Sequence, residues 1–275
     1  MDRQKRIAVI NDISGFGRCS VTVAQPIISA MKIQCCALPT AIFSSHTGFP
    51  GYIFNDYTDN MVPYMKHWEK IGIEFDGIGT GFLGSKQQIQ IVIDFIKKFK
   101  NDKTIILVDP IMGDYGKLYP TYTDEMCIEM KRLIEYADVL TPNLTEACRL
   151  LDMQYPKRKL SLSELKNIAV NLSRKGPDRI VITGIQNEDN IINFVYNPDQ
   201  SFEVLEVAKI GEYRSGTGDI FSAIVIADLV NGKSFHDAVK KAVDFITKSI
   251  KYTNDLKTPL NFGLCFEEYV HELAE

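Results

Sequence analysis

A glycine-rich run that ends in an aspartate directly precedes an apolar segment in the last quarter of the sequence. The run is Gly216-Thr217-Gly218-Asp219, and the apolar segment covers residues 220–226. Amides in the first turn of a helix lack intrahelical partners, and glycine lets an anion approach them closely. The Asp219 carboxylate could deprotonate a hydroxyl group beside such an anion site, as phosphoryl transfer requires. It could equally cap the helix, and both roles stay open.

The spacing of this run excludes two common nucleotide-binding motifs. A P-loop requires GxxxxGK[ST], and a dinucleotide fingerprint requires GxGxxG directly after a strand. The run Gly216-Thr217-Gly218-Asp219 has neither spacing. The sequence therefore disfavours P-loop enzymes and Rossmann-type dehydrogenases.

Other polar side chains cluster where short apolar runs end. In an open parallel sheet, ligands bind beyond the carboxyl ends of the strands, so these clusters predict one site at one sheet edge. The clusters are Asn11-Asp12, Ser44-Ser45-His46-Thr47, residues 109–114, Pro142-Asn143 and Gly184.

Apolar runs alternate with amphipathic segments along the whole chain, which predicts an α/β fold with a mostly parallel sheet between two helical layers. Nothing resembles a linker, so residues 1–275 are predicted to form a single domain. The predicted parallel strands are residues 6–10, 35–43, 77–81, 104–108, 139–141 and 179–183. Residues 190–196 and 202–207 are predicted as antiparallel strands joined by a turn. The predicted helices are residues 21–31, 60–71, 85–99, 124–136, 163–175, 219–230 and 235–252, with capping by Ser161 and Glu164 before the fifth.

Composition limits the classes of partner. The net charge of -4 and the pI near 5.7 predict no nucleic-acid partner. No apolar run is long enough to suggest a membrane span, and no signal peptide is recognised, so we expect a cytoplasmic protein without a membrane partner. The six cysteines show no CxxC spacing, which predicts reduced structural thiols.

Four segments together resemble a known family. The run 216–219 is similar to the signature of the ribokinase-like kinases. The segments FSSHTG at 43–48, DPIMGD at 109–114 and TPNLTE at 141–146 resemble motifs of the pyridoxal kinases, in the same order along the chain. The resemblance covers nearly the whole sequence and implies a ribokinase-like fold and an ATP-dependent kinase.

The resemblance also implies roles for individual residues. Asp219 would accept the proton of a 5′-hydroxymethyl group, while the amides of Gly216, Thr217 and Gly218 would bind the transferred γ-phosphate. Asp114 and Glu146 would organise Mg²⁺, with Asn143 beside them, largely through waters. Asp109 would orient its loop.

Further contacts are implied on both sides of that centre. Thr141, Thr183 and Gly184 would contact ATP phosphates, and the adenine would lie near residues 242–253. Ser44, His46 and Thr47 would contact the pyridine ring of the substrate. Members of this family are usually homodimers, so a homodimer is expected.

The first loop departs from the pyridoxal kinase pattern. It contains Asn11-Asp12 followed by Ile13-Ser14-Gly15, and this resembles the related hydroxymethylpyrimidine kinases more closely. Asp12 would either accept a hydrogen bond from a ring substituent or form an Asx turn. A hydroxymethylpyrimidine kinase, or another small-alcohol kinase of the superfamily, is therefore the alternative function.

Overall fold

In the computed structural model, which describes residues 3–274, a nine-stranded mixed sheet extends across the molecule. Its strand order is β11-β10-β9-β8-β5-β4-β1-β2-β3, and β6 pairs with β7 in a separate hairpin. The strands are β1 (Arg6–Ser14), β2 (Gln34–Phe43), β3 (Phe54–Asp56), β4 (Gly77–Thr80), β5 (Ile105–Val108), β6 (Gly113–Asp114), β7 (Lys117–Leu118), β8 (Val139–Leu140), β9 (Arg179–Asn187), β10 (Asn190–Tyr196) and β11 (Phe202–Ala208). The six strands from β9 to β2 in this order run parallel, whereas β3, β10 and β11 are antiparallel to their neighbours.

Helices cover both faces of the sheet. They are α1 (Val21–Ala30), α2 (Thr58–Lys70), α3 (Lys86–Phe99), α4 (Asp124–Leu133), α5 (Leu144–Leu150), α6 (Leu162–Ser173), α7 (Thr217–Val230) and α8 (Phe235–Asp255). One apolar core joins the sheet to α2 through α6, and a second joins it to α1, α7 and α8. The central strands are buried on both faces, which explains their continuous apolar sequences. The predicted three-layer α/β class is confirmed.

Two predicted boundaries near the site are wrong. The first strand does not end at Ile10 but continues to Ser14, so Asn11 and Asp12 lie within β1 rather than in a loop. The register of β1 against β2 shifts between Asn11 and Ile13, a local irregularity that lets polar residues continue the strand. Helix α7 begins at Thr217, two residues before its predicted start, so Asp219 is its third residue rather than its first.

Short elements were missed for a common reason. The helix α5, the edge strand β3 and the β6–β7 hairpin each contain too few residues to produce a detectable hydrophobic period. Capping boxes begin two of the helices. In α5 the capping box joins Asn143 and Glu146. The predicted capping of α6 is confirmed, because Ser161 and Glu164 bond to each other's backbone amides.

No helix within residues 3–274 is both long enough and apolar enough to cross a bilayer.

Candidate active site

The N-terminus of α7 presents backbone amides at the predicted anion site. Gly216 precedes the helix with φ of 85°, and a Cβ atom there would lie 2.0 Å from the carbonyl oxygen of Arg18. Only glycine fits this position. The first intrahelical hydrogen bond runs from the Ile220 amide to the Gly216 carbonyl, so the amides of Thr217 and Gly218 precede the helical ladder. Such amides can bind an anion such as a phosphate group.

Asp219 lies in this first turn, and neighbouring donors hold its carboxylate. The Asn11 side chain donates to Oδ1 of Asp219 at 3.0 Å, and the backbone amide of Ser20 also favours a low pKa for Asp219. Desolvation nevertheless dominates and raises the pKa of Asp219 to about 6. A carboxylate whose pKa approaches neutrality is well suited to accept a proton from a hydroxyl group.

A second buried carboxylate, that of Asp109, lines a small cavity together with Asp219. The cavity has a volume of about 30 Å³ and lies between the sheet and α7, with Asn11, Thr80 and Asp219 also in its wall. The Ser222 hydroxyl donates to Asp109 at 3.0 Å and lies 3.2 Å from the Thr141 hydroxyl. Burial and the charge of Asp219 raise the pKa of Asp109. The two carboxylates therefore disfavour each other's ionisation.

The predicted metal residues differ in how their oxygens are used. Glu146 is buried, and its two oxygens accept the backbone amides of Met112 at 3.1 Å and Asn143 at 2.8 Å. The side chain of Asn143 is bonded on both sides, to the Glu146 amide and the Gly113 carbonyl. Both residues therefore fasten the loop after β5 to the start of α5.

Asp114 is more open than Glu146. One of its oxygens accepts the backbone amide of Tyr115 at 2.8 Å, and burial raises the pKa of the side chain. A bound cation would offset that desolvation. Among residues 3–274, no group of three or more His, Cys, Asp or Glu side chains could hold a metal on its own. An ion such as Mg²⁺ fits Asp114 only if phosphate oxygens and waters complete its coordination.

The residues predicted to contact phosphates at two strand ends already form hydrogen bonds within the protein. The Gly184 amide donates to the Asn193 side chain at 3.3 Å, so it is not free for a phosphate. The Thr183 amide donates to the Pro142 carbonyl. Thr141 is buried and bonds to Ser222, as described above. Of these three residues, only Thr183 offers a partly exposed hydroxyl group.

Asp12 uses its carboxylate to shape the loop that follows β1. It is buried, and its oxygens accept the hydroxyl groups of Ser14 at 2.9 Å and Ser20 at 2.5 Å. These bonds hold Ser20 at a positive φ of 58°, with its amide directed at Asp219. The geometry therefore favours a structural role for Asp12 over contact with a ring substituent.

His46 is likewise bonded within the protein. Its Nδ1 accepts the Gly48 amide at 3.0 Å, which places the proton on Nε2, and Nε2 donates to the Asn261 carbonyl at 2.8 Å. The Ser215 hydroxyl lies 3.2 Å from the same Nε2 atom. His46 thus connects the loop after β2 to the segment that precedes α7.

The other two residues of the predicted substrate loop differ from each other. The Ser44 hydroxyl accepts the Ile53 amide at 2.8 Å, which closes the β2–β3 connection. Thr47 is exposed. Next to them, the rings of Phe16, Phe49 and Phe262 pack edge to face or tilted, with centroids 4.9 to 6.0 Å apart. The loop therefore presents an apolar wall beside an exposed hydroxyl.

Several residues that contact the centre were not singled out as site residues from the sequence. The sequence indicates Asn11 only as a polar residue at a strand end, and it assigns no role to Ser20, Ser215 or Ser222. Ser222 lies three residues after Asp219, on the same face of a helix, and that spacing was a detectable signal. The contact between Asn11 and Asp219 joins residues 208 positions apart, so no local pattern indicates it.

Comparison with known proteins supports a common origin for this arrangement. A family model described as phosphomethylpyrimidine kinase matches residues 28–261. The pyridoxine kinase of Bacillus subtilis is 32% identical over 186 residues, which cover 66% of this chain and 65% of that protein. The thiamine biosynthetic bifunctional enzyme of Arabidopsis thaliana is 28% identical over 185 residues, which cover 66% of this chain and 34% of that protein. The aligned segments thus span between about a third and two thirds of these relatives.

A solved structure matches along the entire chain. A candidate phosphomethylpyrimidine kinase from Bacteroides thetaiotaomicron is 39% identical, with a TM-score of 0.97 over 100% of this chain and 95% of that chain. A second crystal form of that protein, with pyridoxal, gives a TM-score of 0.95 over 99% of this chain and 96% of that chain. The predicted ribokinase-like fold is confirmed.

Proposed function

The chain belongs to the phosphomethylpyrimidine kinase family, and we propose that it transfers the γ-phosphate of ATP to the 5′-hydroxymethyl group of pyridoxal, pyridoxine or pyridoxamine. The observation that carries the proposal is the position of Asp219, a desolvated carboxylate in the same helical turn as the amides of Thr217 and Gly218. A base and an anion site in one turn are what attack of a hydroxyl on a phosphorus atom requires.

The proposed reaction assigns each group a task. The Asp219 carboxylate takes the hydroxyl proton as the alcohol oxygen forms its bond to the γ-phosphorus. The bond between that phosphorus and the bridging oxygen breaks, and ADP leaves. The first-turn amides donate hydrogen bonds to the charge that develops on the transferred group. These donors are fixed before the reaction because Gly216 holds the turn against the loop after β1.

A magnesium ion, when bound, would neutralise charge on the β- and γ-phosphates. Asp114 is the residue best placed to hold it, because its carboxylate is only partly used within the protein. Glu146 would act behind it, by fixing the loop that carries Asp114. The ATP and magnesium requirements, like the residue roles, are part of this proposal.

Support for a pyridine substrate comes from two comparisons and one surface. The B. subtilis relative is a pyridoxine kinase, and the Bacteroides structural match was crystallised with pyridoxal. The wall formed by Phe16, Phe49 and Phe262 offers an aromatic face to a ring, and Thr47 offers a hydroxyl beside it. Ser44 and His46 would shape this pocket rather than bond to the ring.

Hydroxymethylpyrimidine is the second candidate substrate. It is favoured by the matching family model and by the similarity to a thiamine biosynthetic enzyme. The two candidates share the reaction and differ only in the ring. Polar groups that match one ring reject the other strongly when they are left unpaired, so relative rates can separate the two.

A coupled assay of ADP release across a panel of alcohols tests the proposal. The panel contains the three vitamers and hydroxymethylpyrimidine, and a reaction without alcohol measures background ATP hydrolysis. We expect the highest kcat/KM with one of the vitamers and a product heavier by one phosphate group. A higher kcat/KM with a pyrimidine would establish the alternative. No alcohol-dependent ADP release would contradict both.

A homodimer and a cytoplasmic location complete the proposal. The homodimer rests on the resemblance to the pyridoxal kinases, and the cytoplasmic location is the expectation stated from the sequence. Light scattering coupled to size-exclusion chromatography measures the first, and fractionation of the source cells measures the second. A monomeric mass at assay concentration, or recovery outside the cytoplasm, would contradict the respective expectation.

A further inference from the structure

The side chain of Asn11 is held in one orientation by backbone groups. Its Oδ1 atom accepts the Phe82 amide at 2.8 Å and the Asp12 amide at 2.9 Å. Two donors on one side of a carboxamide identify that side as the oxygen, so the NH₂ group must lie on the other side. That group donates to Oδ1 of Asp219 at 3.0 Å.

The surrounding backbone leaves Asn11 no room to turn. The residue is 4% exposed, and a Cβ atom on Gly81 would lie 2.3 Å from its Cγ atom. The missing side chain of Gly81, directly after β4, thus creates the space that the carboxamide fills. Because β1 continues past Ile10, the backbone of Asn11 belongs to a strand rather than to a loop.

We propose that Asn11 is a positioning residue that selects which oxygen of Asp219 acts as the base. By occupying Oδ1, its NH₂ group leaves Oδ2 for the hydroxyl proton of the substrate. A carboxamide neither gains nor loses a proton near neutral pH, so it holds the carboxylate without competing for that proton. This inference rests on the proposed role of Asp219 as the base.

The ionisation of Asp219 reports on this contact. A hydrogen bond from Asn11 stabilises the ionised form, whereas burial and the negative charge of Asp12 on β1 oppose ionisation. Three further titratable groups face Asp219: Cys19 from the loop before α1, Asp109 from the end of β5 and Tyr213 from the segment before α7. The Cys19 thiol and the Tyr213 phenol are uncharged near neutral pH. Loss of the Asn11 donor therefore raises the pKa of Asp219.

Asn11→Asp is the sharpest test, because the new side chain has the same shape and keeps an oxygen for the Phe82 and Asp12 amides. It replaces the donor to Asp219 with an acceptor that carries negative charge. We expect kcat at pH 7 to fall by about tenfold or more, with partial recovery at higher pH, since more of the base is then ionised. The KM for ATP should change far less.

A second variant and a control separate positioning from folding. Asn11→Ala removes the donor without adding charge, so the acid limb of the kcat profile should move upward by less than in Asn11→Asp. Asn231→Ala removes a side chain that donates to the Met31 carbonyl at the opposite end of α7. This control should keep the wild-type profile.

Carbon NMR of Asp219 provides a readout that needs no activity. In protein labelled at the aspartate carboxyl carbon and assigned with Asp219→Asn, we expect the Asp219 carbon to titrate at higher pH in both Asn11 variants. An unchanged titration together with an unchanged acid limb would overturn the inference. If the wild type transfers no phosphate but the titration shifts, the proposed function fails and the contact between Asn11 and Asp219 stands.

Discussion

The loops that follow β1 and β2 and the loops that follow β5 and β8 lie on either side of Asp219 in the site, and they use their polar atoms differently. On the side of β1 and β2, the polar atoms of Asp12 and His46 form hydrogen bonds with neighbouring protein groups. On the side of β5, Asp114 bonds to a single backbone amide. We infer that the first side mainly shapes the substrate pocket and that the second side can still bind an ion.

This difference shows that residues of the same type at one edge of the sheet can have different roles. Asp12 lies within β1 and Asp114 is the last residue of β6, but only Asp114 has an oxygen without a protein partner among the described residues. Glu146 resembles Asp12 in this respect, since both of its oxygens are bonded. Substitutions on the two sides should therefore affect different measured quantities.

The largest effect should come from the residue between the two sides. Asp219→Asn removes the proton acceptor while keeping the shape of the side chain, so we expect kcat to fall by roughly a hundredfold or more. The KM for ATP should change much less, because the nucleotide does not depend on this carboxylate for binding. Steady-state kinetics with either substrate varied measures both constants. Near-normal turnover would remove Asp219 from the role of base.

The next effect concerns the metal side. Asp114→Ala should raise the Mg²⁺ concentration needed for half-maximal rate by about tenfold, because a carboxylate is the ligand that this ion prefers. The melting temperature of this variant should change little. Glu146→Ala should also raise the Mg²⁺ requirement, but through displacement of the loop. Because Glu146 satisfies two backbone amides, its loss should lower the free energy of unfolding by about 1–3 kcal/mol.

Rate titrations with Mg²⁺ and thermal melts distinguish the two variants. If neither variant changes the Mg²⁺ dependence, both residues have purely structural roles. If Glu146→Ala changes it without any loss of stability, the contrast drawn between the two carboxylates is wrong.

The smallest effects should be on the substrate side. Thr47→Val keeps the side-chain size and removes an exposed hydroxyl, so we expect a higher KM for the vitamer with unchanged KM for ATP and unchanged stability. His46→Ala should raise the same KM and also lower the melting temperature, because the Gly48 amide and the Asn261 carbonyl lose their partner. Equal melting temperatures for the two variants would show that His46 does not hold the loop.

The layers of the fold and the candidate anion-binding run before α7 could be predicted from the sequence, because both depend on local patterns. Continuous apolar strands and the run at 216–219 can be recognised without knowledge of tertiary contacts. The contact of Asn11 with Asp219 cannot be recognised in this way, because it depends on β1 continuing to Ser14 and on the space beside Gly81. The internal bonds of His46 depend on Asn261, which is 215 residues away.

The pH dependence of kcat/KM for wild-type protein, measured beside Asp219→Asn, tests the central claim most directly. Burial raises the pKa of Asp219 to about 6, and the base must be ionised to accept a proton. We therefore predict that the wild-type kcat/KM rises with pH through about 6 and then levels off, and that the residual kcat/KM of Asp219→Asn lacks this rise. The same acid limb in both proteins would contradict the assignment of Asp219 as the base.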